Sequence, residues 1–343
     1  MSQCKIKNYL CLSCLWILLP VAILYITFEH TAYITILVSL LIFSFVFIIK
    51  KYQVIKFLLF LALAISFCTT MFVMLSILIQ SITFFHKVPI TELLFCLEWN
   101  HNIVTINNEK IGCFGIAPLL IGTLLITIVA MIFAIPLGLF SAIYISEYAS
   151  KRTRYIVNTT LQTLSAIPTV VYGYFSIIFL SSLVKQTANL FNLSVHSENA
   201  LVAGLSIGIM ILPFFVSLLE DAIRSVPKSL RYGFMALGAT PAETIWHIII
   251  PYAMPTILSA VLLSISRVIG ETMIVLMAVG INANLTFNPL HSVTTITVQI
   301  ATLLTGDQDF NSVQTLAAYA LSLVLFIVTW LLNALALFVI KRN

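Results

Sequence analysis

The 343-residue chain is 61% hydrophobic and only 8% charged, with a mean hydropathy of +1.10. A soluble domain carries about 25% charged residues, so this chain cannot coat a water-facing surface and its main solvent is lipid. The 17 Lys and Arg and 12 Asp and Glu are scattered between apolar runs. That excludes the one-sided basic face of a nucleic-acid binder.

Segments 10–28 and 31–49 carry no Asp, Glu, Lys or Arg and predict a helical hairpin turning at Glu29-His30. Lys5 and Lys7 before the first run give it the look of a secretory signal. However, its 19 residues exceed the usual ~7–15, and Thr27-Phe28-Glu29 is no small-residue cleavage site. A retained signal-anchor fits better. Cys11-Leu-Ser-Cys14 has CxxC spacing, but it lies in an apolar helix without a βαβ context and carries no redox function.

Five further runs, 57–85, 117–146, 158–184, 200–219 and 313–340, are also free of charge, and 252–280 contains only Arg267 and Glu271. Each is long enough to cross a bilayer as a helix, which takes ~20 residues. The runs are apolar on every side, whereas barrel strands alternate over ~10 residues. The expectation is an all-α integral membrane protein, a polytopic helix bundle of about eight transmembrane helices: six in the core after an N-terminal pair. Residues 1–56 would form the two-helix extension and 57–343 the main domain. Lys50, Lys51, Lys56, Lys151, Arg152, Arg154, Arg224, Lys228, Arg231, Lys341 and Arg342 all fall on the side of Lys5 and Lys7. Cytoplasmic loops collect such residues, which puts both termini and the 220–251 loop in the cytoplasm.

Cys96 and Cys113 share the opposite loop, 86–116, where an oxidising compartment permits a disulfide; two free thiols are the alternative. The six histidines show no HxxxH or HExxH spacing, so neither a metal nor another cofactor is expected. Gly204-Leu-Ser206-Ile-Gly208 spells the nucleophile-elbow string. An elbow needs a strand above a parallel sheet, and no predicted span holds a histidine to act as base. The two glycines read instead as small residues that let a neighbouring helix approach.

Loop 220–251 predicts two short amphipathic helices. Pro227 starts the first, Gly238 ends it in the left-handed conformation, Thr240 N-caps the second, and Pro241 and Glu243 occupy its first turn. Ile245 and Ile248 share one face of the second helix. Such a pair suits either a membrane surface or a soluble docking partner.

Gly238, nine further residues, and Ile248-Ile249-Ile250-Pro251 resemble the tail of the EAA loop shared by ABC-importer permeases. Further strings agree in order and spacing: Pro118-Leu-Leu-Ile-Gly122-Thr123, Ile145-Ser-Glu147-Tyr148-Ala149, Ile167-Pro168-Thr169-Val-Val-Tyr172-Gly173, Ile209-Met210-Ile-Leu-Pro213, Ala236-Leu237-Gly238-Ala239-Thr240 and Gly270-Glu271-Thr272. Together they resemble the PstC-type permease subunits of bacterial phosphate ABC importers over roughly 115–280. The sequence departs from that pattern at Tyr232-Gly233-Phe234, which stands where the family usually has Glu-Ala-Ala.

The resemblance implies the type I ABC-importer permease fold in a bacterial inner membrane. It also implies a second, homologous permease subunit, two ATP-binding subunits that clamp the loop around Ala236, Leu237, Gly238, Ala239, Ile245, Ile248 and Pro251, and an external phosphate-binding protein. The chain lacks the GxxxxGK[ST] phosphate loop, so ATP hydrolysis must come from another chain. By the same likeness Pro168, Thr169 and Tyr172 would line the path. Residues 292–305 are too short to span, leaving a surface helix or a segment that dips back.

Arg267 and Glu271 are the charges in the membrane interior. Counted from 252, Arg267 lies ~22 Å along a helix, and a charge at that depth usually faces a wet cavity or the bundle interior. A spacing of four on a continuous helix lets the two pair. In the functional reading Arg267 meets the oxyanion and Glu271 offsets its charge; in the structural one the pair fixes helix packing. Three function readings stay open: a phosphate permease, a permease for an oxyanion such as molybdate or sulfate, and an ATP-independent channel or secondary carrier.

Overall fold

A computed structural model describes residues 51–99, 104–106, 109–111, 114–190, 196, 198–305 and 312–341. The predicted spans 10–28 and 31–49, the CxxC string and Cys113 lie outside these residues. The helices are α1 (Lys51–Lys87), α2 (Ile90–Phe95), α3 (Ala117–Tyr148), α4 (Lys151–Ser165), α5 (Thr169–Leu190), α6 (Ala200–Arg224), α7 (Lys228–Ala236), α8 (Pro241–Ile269), α9 (Met273–Val279), α10 (Ile296–Leu304) and α11 (Val313–Lys341). A two-stranded antiparallel ribbon, β1 (Val104–Ile106) with β2 (Glu109–Ile111), decorates the loop between α2 and α3. Among the described residues five helices are long and apolar enough to cross a membrane, and α4 with α5 makes a sixth if that bent pair is one span. These six correspond to the six predicted core spans.

Two of those spans are not the straight rods that composition suggests. The run 158–184 bends by 87° between α4 and α5, at Pro168, whose ring removes a backbone donor and fixes φ. The run 252–280 breaks after Ile269: the Glu271 amide donates back to the Val268 carbonyl at 3.1 Å, and the chain restarts as α9.

The chain divides into two compact units, Met1–Met74 and Leu75–Asn343. In the first, α1 exposes Leu59, Phe60, Leu63, Phe67 and Phe72, the surface of a helix that meets lipid tails. In the second, the core is organised by α3 against α6. A Cβ on Gly204 would lie 2.5 Å from Val129 Cγ1, and one on Gly208 would lie 2.9 Å from the Phe133 ring and 3.1 Å from the Ala130 carbonyl. Only hydrogen fits at either position, and the two backbones approach accordingly. Ser206, between them, is buried and donates to the Val202 carbonyl of its own helix at 2.9 Å. The elbow reading ends there. Asn199 starts α6 by accepting from the Val202 amide at 2.8 Å, a cap whose loss costs about 1 kcal/mol.

Toward the basic end, Ala142, Ile145, Phe215, Leu219, Ile223, Ile245 and Ile249 form a second buried cluster. At the far end Phe84 and Trp99 each meet Phe114 edge-on, with centroids 5.7 and 5.5 Å apart. Segment 292–305 dips back rather than lying on the surface. Val293, Thr294, Ile296, Val298 and Gln299 are buried, and the Ile296 amide donates to Thr123 Oγ1 on α3 at 3.2 Å.

The α3–α6 contact predicts an ordered set of stabilities. Gly204→Val and Gly208→Val should each cost about 1–3 kcal/mol through overpacking, whereas Ser206→Ala should cost under about 1 kcal/mol, since it loses one neutral hydrogen bond. Thermal unfolding of the purified protein in detergent reads the difference. A Ser206→Ala loss as large as that of the glycine variants contradicts this packing account.

Candidate functional site

At the break between α8 and α9 the chain leaves the helix at Gly270, so Arg267 and Glu271 do not share one helix face. No ion pair joins them among the described residues. This corrects the pairing expected from their spacing, which holds only on an unbroken helix. The Arg267 side chain is exposed, and its guanidinium lies over the Phe214 ring of α6, 4.9 Å from the centroid, a cation–π contact that leaves its donors free to turn outward. Glu271 is partly buried beside the first amides of α9 and close enough to feel the Arg267 charge. Its backbone carbonyl accepts from Thr297 Oγ1 of α10 at 2.9 Å.

Beside the break is an open, mostly apolar concavity of about 430 Å³, where Thr272, Thr297, Ser322 and Thr329 stand among Ile300, Leu325 and Phe326. Sequence reasoning missed Thr297, Ser322 and Thr329 because hydroxyls inside apolar helices carry no spacing signal. Serine and threonine satisfy themselves on their own helix, as Ser322 does on Ala318 at 2.8 Å, and so tolerate both lipid and water.

The second break brings its residues to the same region. Pro168 N-caps α5 with extended backbone, Thr169 follows as its first residue, and the Tyr172 hydroxyl reaches across the bend to the Leu164 carbonyl at 3.1 Å. Gly173 seats this turn on α9, where a Cβ would lie 2.7 Å from Met277 Sδ. The turn bearing Thr169 and Tyr172 therefore packs on the helix that follows Glu271.

The loop at the basic end keeps the predicted turn and caps, but its second helix is not a separate short element: Pro241 begins α8, which runs on to Ile269. Gly238 has φ +91 with open space around it, so glycine is needed there for conformation alone. Thr240 and Glu243 form a reciprocal capping box: the Thr240 amide donates to Glu243 Oε2 at 2.7 Å, and the Glu243 amide donates to Thr240 Oγ1 at 3.3 Å. The apolar side chains divide differently from expectation. Ile245 is 4% exposed and belongs to the buried cluster, while Ile248 is partly buried. The reason is a π-helical turn, Ile245–Ile249, which puts Ile245 and Ile249 on the inner side. Leu237 at 83%, Tyr232 at 65% and Trp246 at 59% exposure form the free apolar surface, beside exposed Ala236 and Gly238 and partly buried Ala239; Pro251 is exposed further along α8.

Cys96 ends α2 and is disulfide-bonded; its expected partner, Cys113, lies outside the described residues. The flanking chain segments run together, with Trp99 bridged to Phe114 and the Gly115 amide donating to the Glu98 carbonyl at 2.9 Å.

Residues 134–342 match the family described as "Binding-protein-dependent transport system inner membrane component". The probable ABC transporter permease protein YqgH of Bacillus subtilis is 32% identical over 252 residues, 74% of this chain and 78% of that protein. The phosphate transport system permease protein PstC of Mesorhizobium japonicum is 29% identical over 249 residues, covering 68% and 75%. Phosphate transport system permease protein PstA 1 of Mycobacterium tuberculosis is 32% identical over 232 residues, covering 67% and 71%. Systems of this kind carry their ATPase on a separate chain and work as assemblies of permease, ATPase and binding protein. The run of spans, the helix breaks and the capped loop are thus those of a multi-pass, non-enzymatic transport subunit, and the chain belongs to the binding-protein-dependent inner-membrane permease family of ABC importers.

Proposed function

We propose that this chain forms half of the translocation path of an ATP-driven phosphate importer in a bacterial inner membrane. Residues 57–343 are the permease domain and 1–56 an added pair of helices, with both termini and loop 220–251 cytoplasmic, a reading supported by the distribution of Lys and Arg. The partners are a homologous permease subunit, two ATP-binding subunits and an external phosphate-binding protein. The observation that carries this reading is Arg267. An exposed guanidinium in the last turn of a bilayer-crossing segment, held over Phe214 of α6 at the break into α9, is costly against lipid and belongs on a wet path or against a second subunit. There its planar donors suit a tetrahedral oxyanion, Glu271 offsets its charge when the anion has left, and Pro168, Thr169 and Tyr172 supply the facing turn.

Arg267→Gln and Glu271→Gln should assemble with the partner subunits yet lose uptake. A charge-assisted interaction contributes ~1.5–3 kcal/mol, so Arg267→Gln should slow transport roughly ten- to hundredfold. Radiolabelled phosphate uptake by the reconstituted complex, with molybdate and sulfate as competitors, reads both the effect and the substrate. Native uptake in both variants removes the pair from the path, and stronger competition by another anion replaces phosphate as substrate.

The exposed tip is the ATPase contact in this reading. Leu237, Trp246 and Tyr232, with Ala236, Gly238, Ala239 and Pro251, enter an apolar groove, while Ile245 with Ile249 holds the tip to the bundle and Ile248 lies at the margin. With tyrosine in place of the family's glutamate at 232, the contact rests on apolar surface. Leu237→Asp should release the ATPase on co-purification. Gly238→Val, which forces a β-branched residue to positive φ at about 1–2 kcal/mol, should uncouple ATP hydrolysis from uptake. Full coupled transport in both variants rules the tip out as the contact.

The same reading assigns Cys113 as the partner of Cys96 in the external loop. The chain-entropy model gives such a short loop roughly 3 kcal/mol of stabilisation. Peptide mass spectrometry on protein prepared without reductant should find the 96–113 crosslink; two free thiols in that material contradict the assignment.

A further inference from the structure

Two arginines at the basic end are bound in a reciprocal pattern. Arg231, on α7, forms an ion pair with Glu147 at the end of α3 and donates to the Ile223 carbonyl in the last turn of α6. Arg154, on α4, makes the mirror arrangement. It donates to the Ile145 carbonyl at 2.8 Å and to the Ser146 carbonyl at the end of α3, and it lies 3.8 Å from Glu220 of α6. Each arginine thus holds a carboxylate from one of the two packed spans and a terminal carbonyl from the other. Cations are favoured at such helix ends, where carbonyls lack amide partners. The π-helical turn Tyr144–Tyr148 ends α3 beside these groups.

The pattern is largely shielded from water. Arg231 and Glu147 are each 15% exposed, and the Glu220 side chain is 7% exposed. Asn158 Nδ2 of α4 also donates to Glu220, at 3.0 Å, and Arg224 adds a contact at 3.3 Å. Arg231 Nε and Asn158 Oδ1 are buried with no partner, so this arrangement leaves bonding capacity unused at two of its members.

We infer that the Glu147–Arg231 and Glu220–Arg154 pairs form a closed polar ring that makes loop 220–251 move as one body with the ends of α3 and α6. Arg231 and Glu147 are positioning residues: their bonds run to the ends of α3 and α6, while the docking surface is made by Leu237, Trp246 and Tyr232. Pulling the loop away without its spans would separate a shielded pair and orphan the Ile223 carbonyl, both strongly unfavourable. A force applied at the loop therefore reaches the two most closely packed helices of the core. This inference rests on the ATP-driven permease reading.

The test uses the full complex in proteoliposomes, with inorganic phosphate as solute, and measures ATP hydrolysed per phosphate moved alongside ATPase co-purification. Arg231→Met leaves Leu237, Trp246 and Tyr232 in place, so it should retain the ATPase while the ratio rises, roughly tenfold, because the partly buried Glu147 loses the partner that ties the loop to α3. The swap Glu147→Arg with Arg231→Glu should bring the ratio most of the way back. An unchanged ratio in Arg231→Met overturns the inference, as does a swap that assembles but stays uncoupled. Failure of both variants to assemble overturns it in favour of a purely structural ring. If the unmodified complex shows no ATP-dependent uptake, the permease reading itself fails, which is a separate outcome.

Discussion

Everything in the core depends on the approach of α3 to α6. Two glycines one turn apart leave room for the Phe133 and Val129 side chains and for opposing backbone, and nothing larger than hydrogen fits at those positions. In lipid there is little hydrophobic gain from burying one apolar helix on another, so close van der Waals contact of this kind must supply the association. Its geometric effects reach both ends. At the basic end it sets Glu147 and Glu220 near enough for two arginines to bridge them. Toward the far end α3 receives the buried α10 through Thr123.

Helix breaks are the second constraint, because an unpaired backbone group in hydrocarbon costs several kcal/mol. Both breaks here are paired with protein groups. Tyr172 spans the α4–α5 bend, and Glu271 contributes its amide to Val268 and its carbonyl to Thr297. At these two breaks, then, protein groups take up part of the irregular backbone's bonding. The exposed charge of Arg267 and the open concavity with its few hydroxyls are found at the second of these places.

Features set by neighbours in the chain were legible beforehand. The Gly238 turn and the Thr240–Glu243 box depend on residues at most five apart, and their letters carry the conformation. Gly204 and Gly208 were readable as a close-approach pair because glycine in an apolar helix has few other uses. The break at Gly270 was not, since the apolar run continues through it and only a tertiary fold can divide the run. Ile245 was misplaced because a π-helical turn shifts the face that a regular 3.6-residue period assigns. The ring joining Glu147 to Arg231 spans 84 positions, and composition offers no hint of which of several basic residues will find which acid.

The bare tip of the basic-end loop affects how the protein is made. Leu237 and Trp246 stand more than half exposed, and apolar groups facing water are what chaperones and proteases recognise. In the proposed reading, a copy made without its ATPase keeps these apolar groups in water, and such unassembled copies are the ones that cellular quality control would remove.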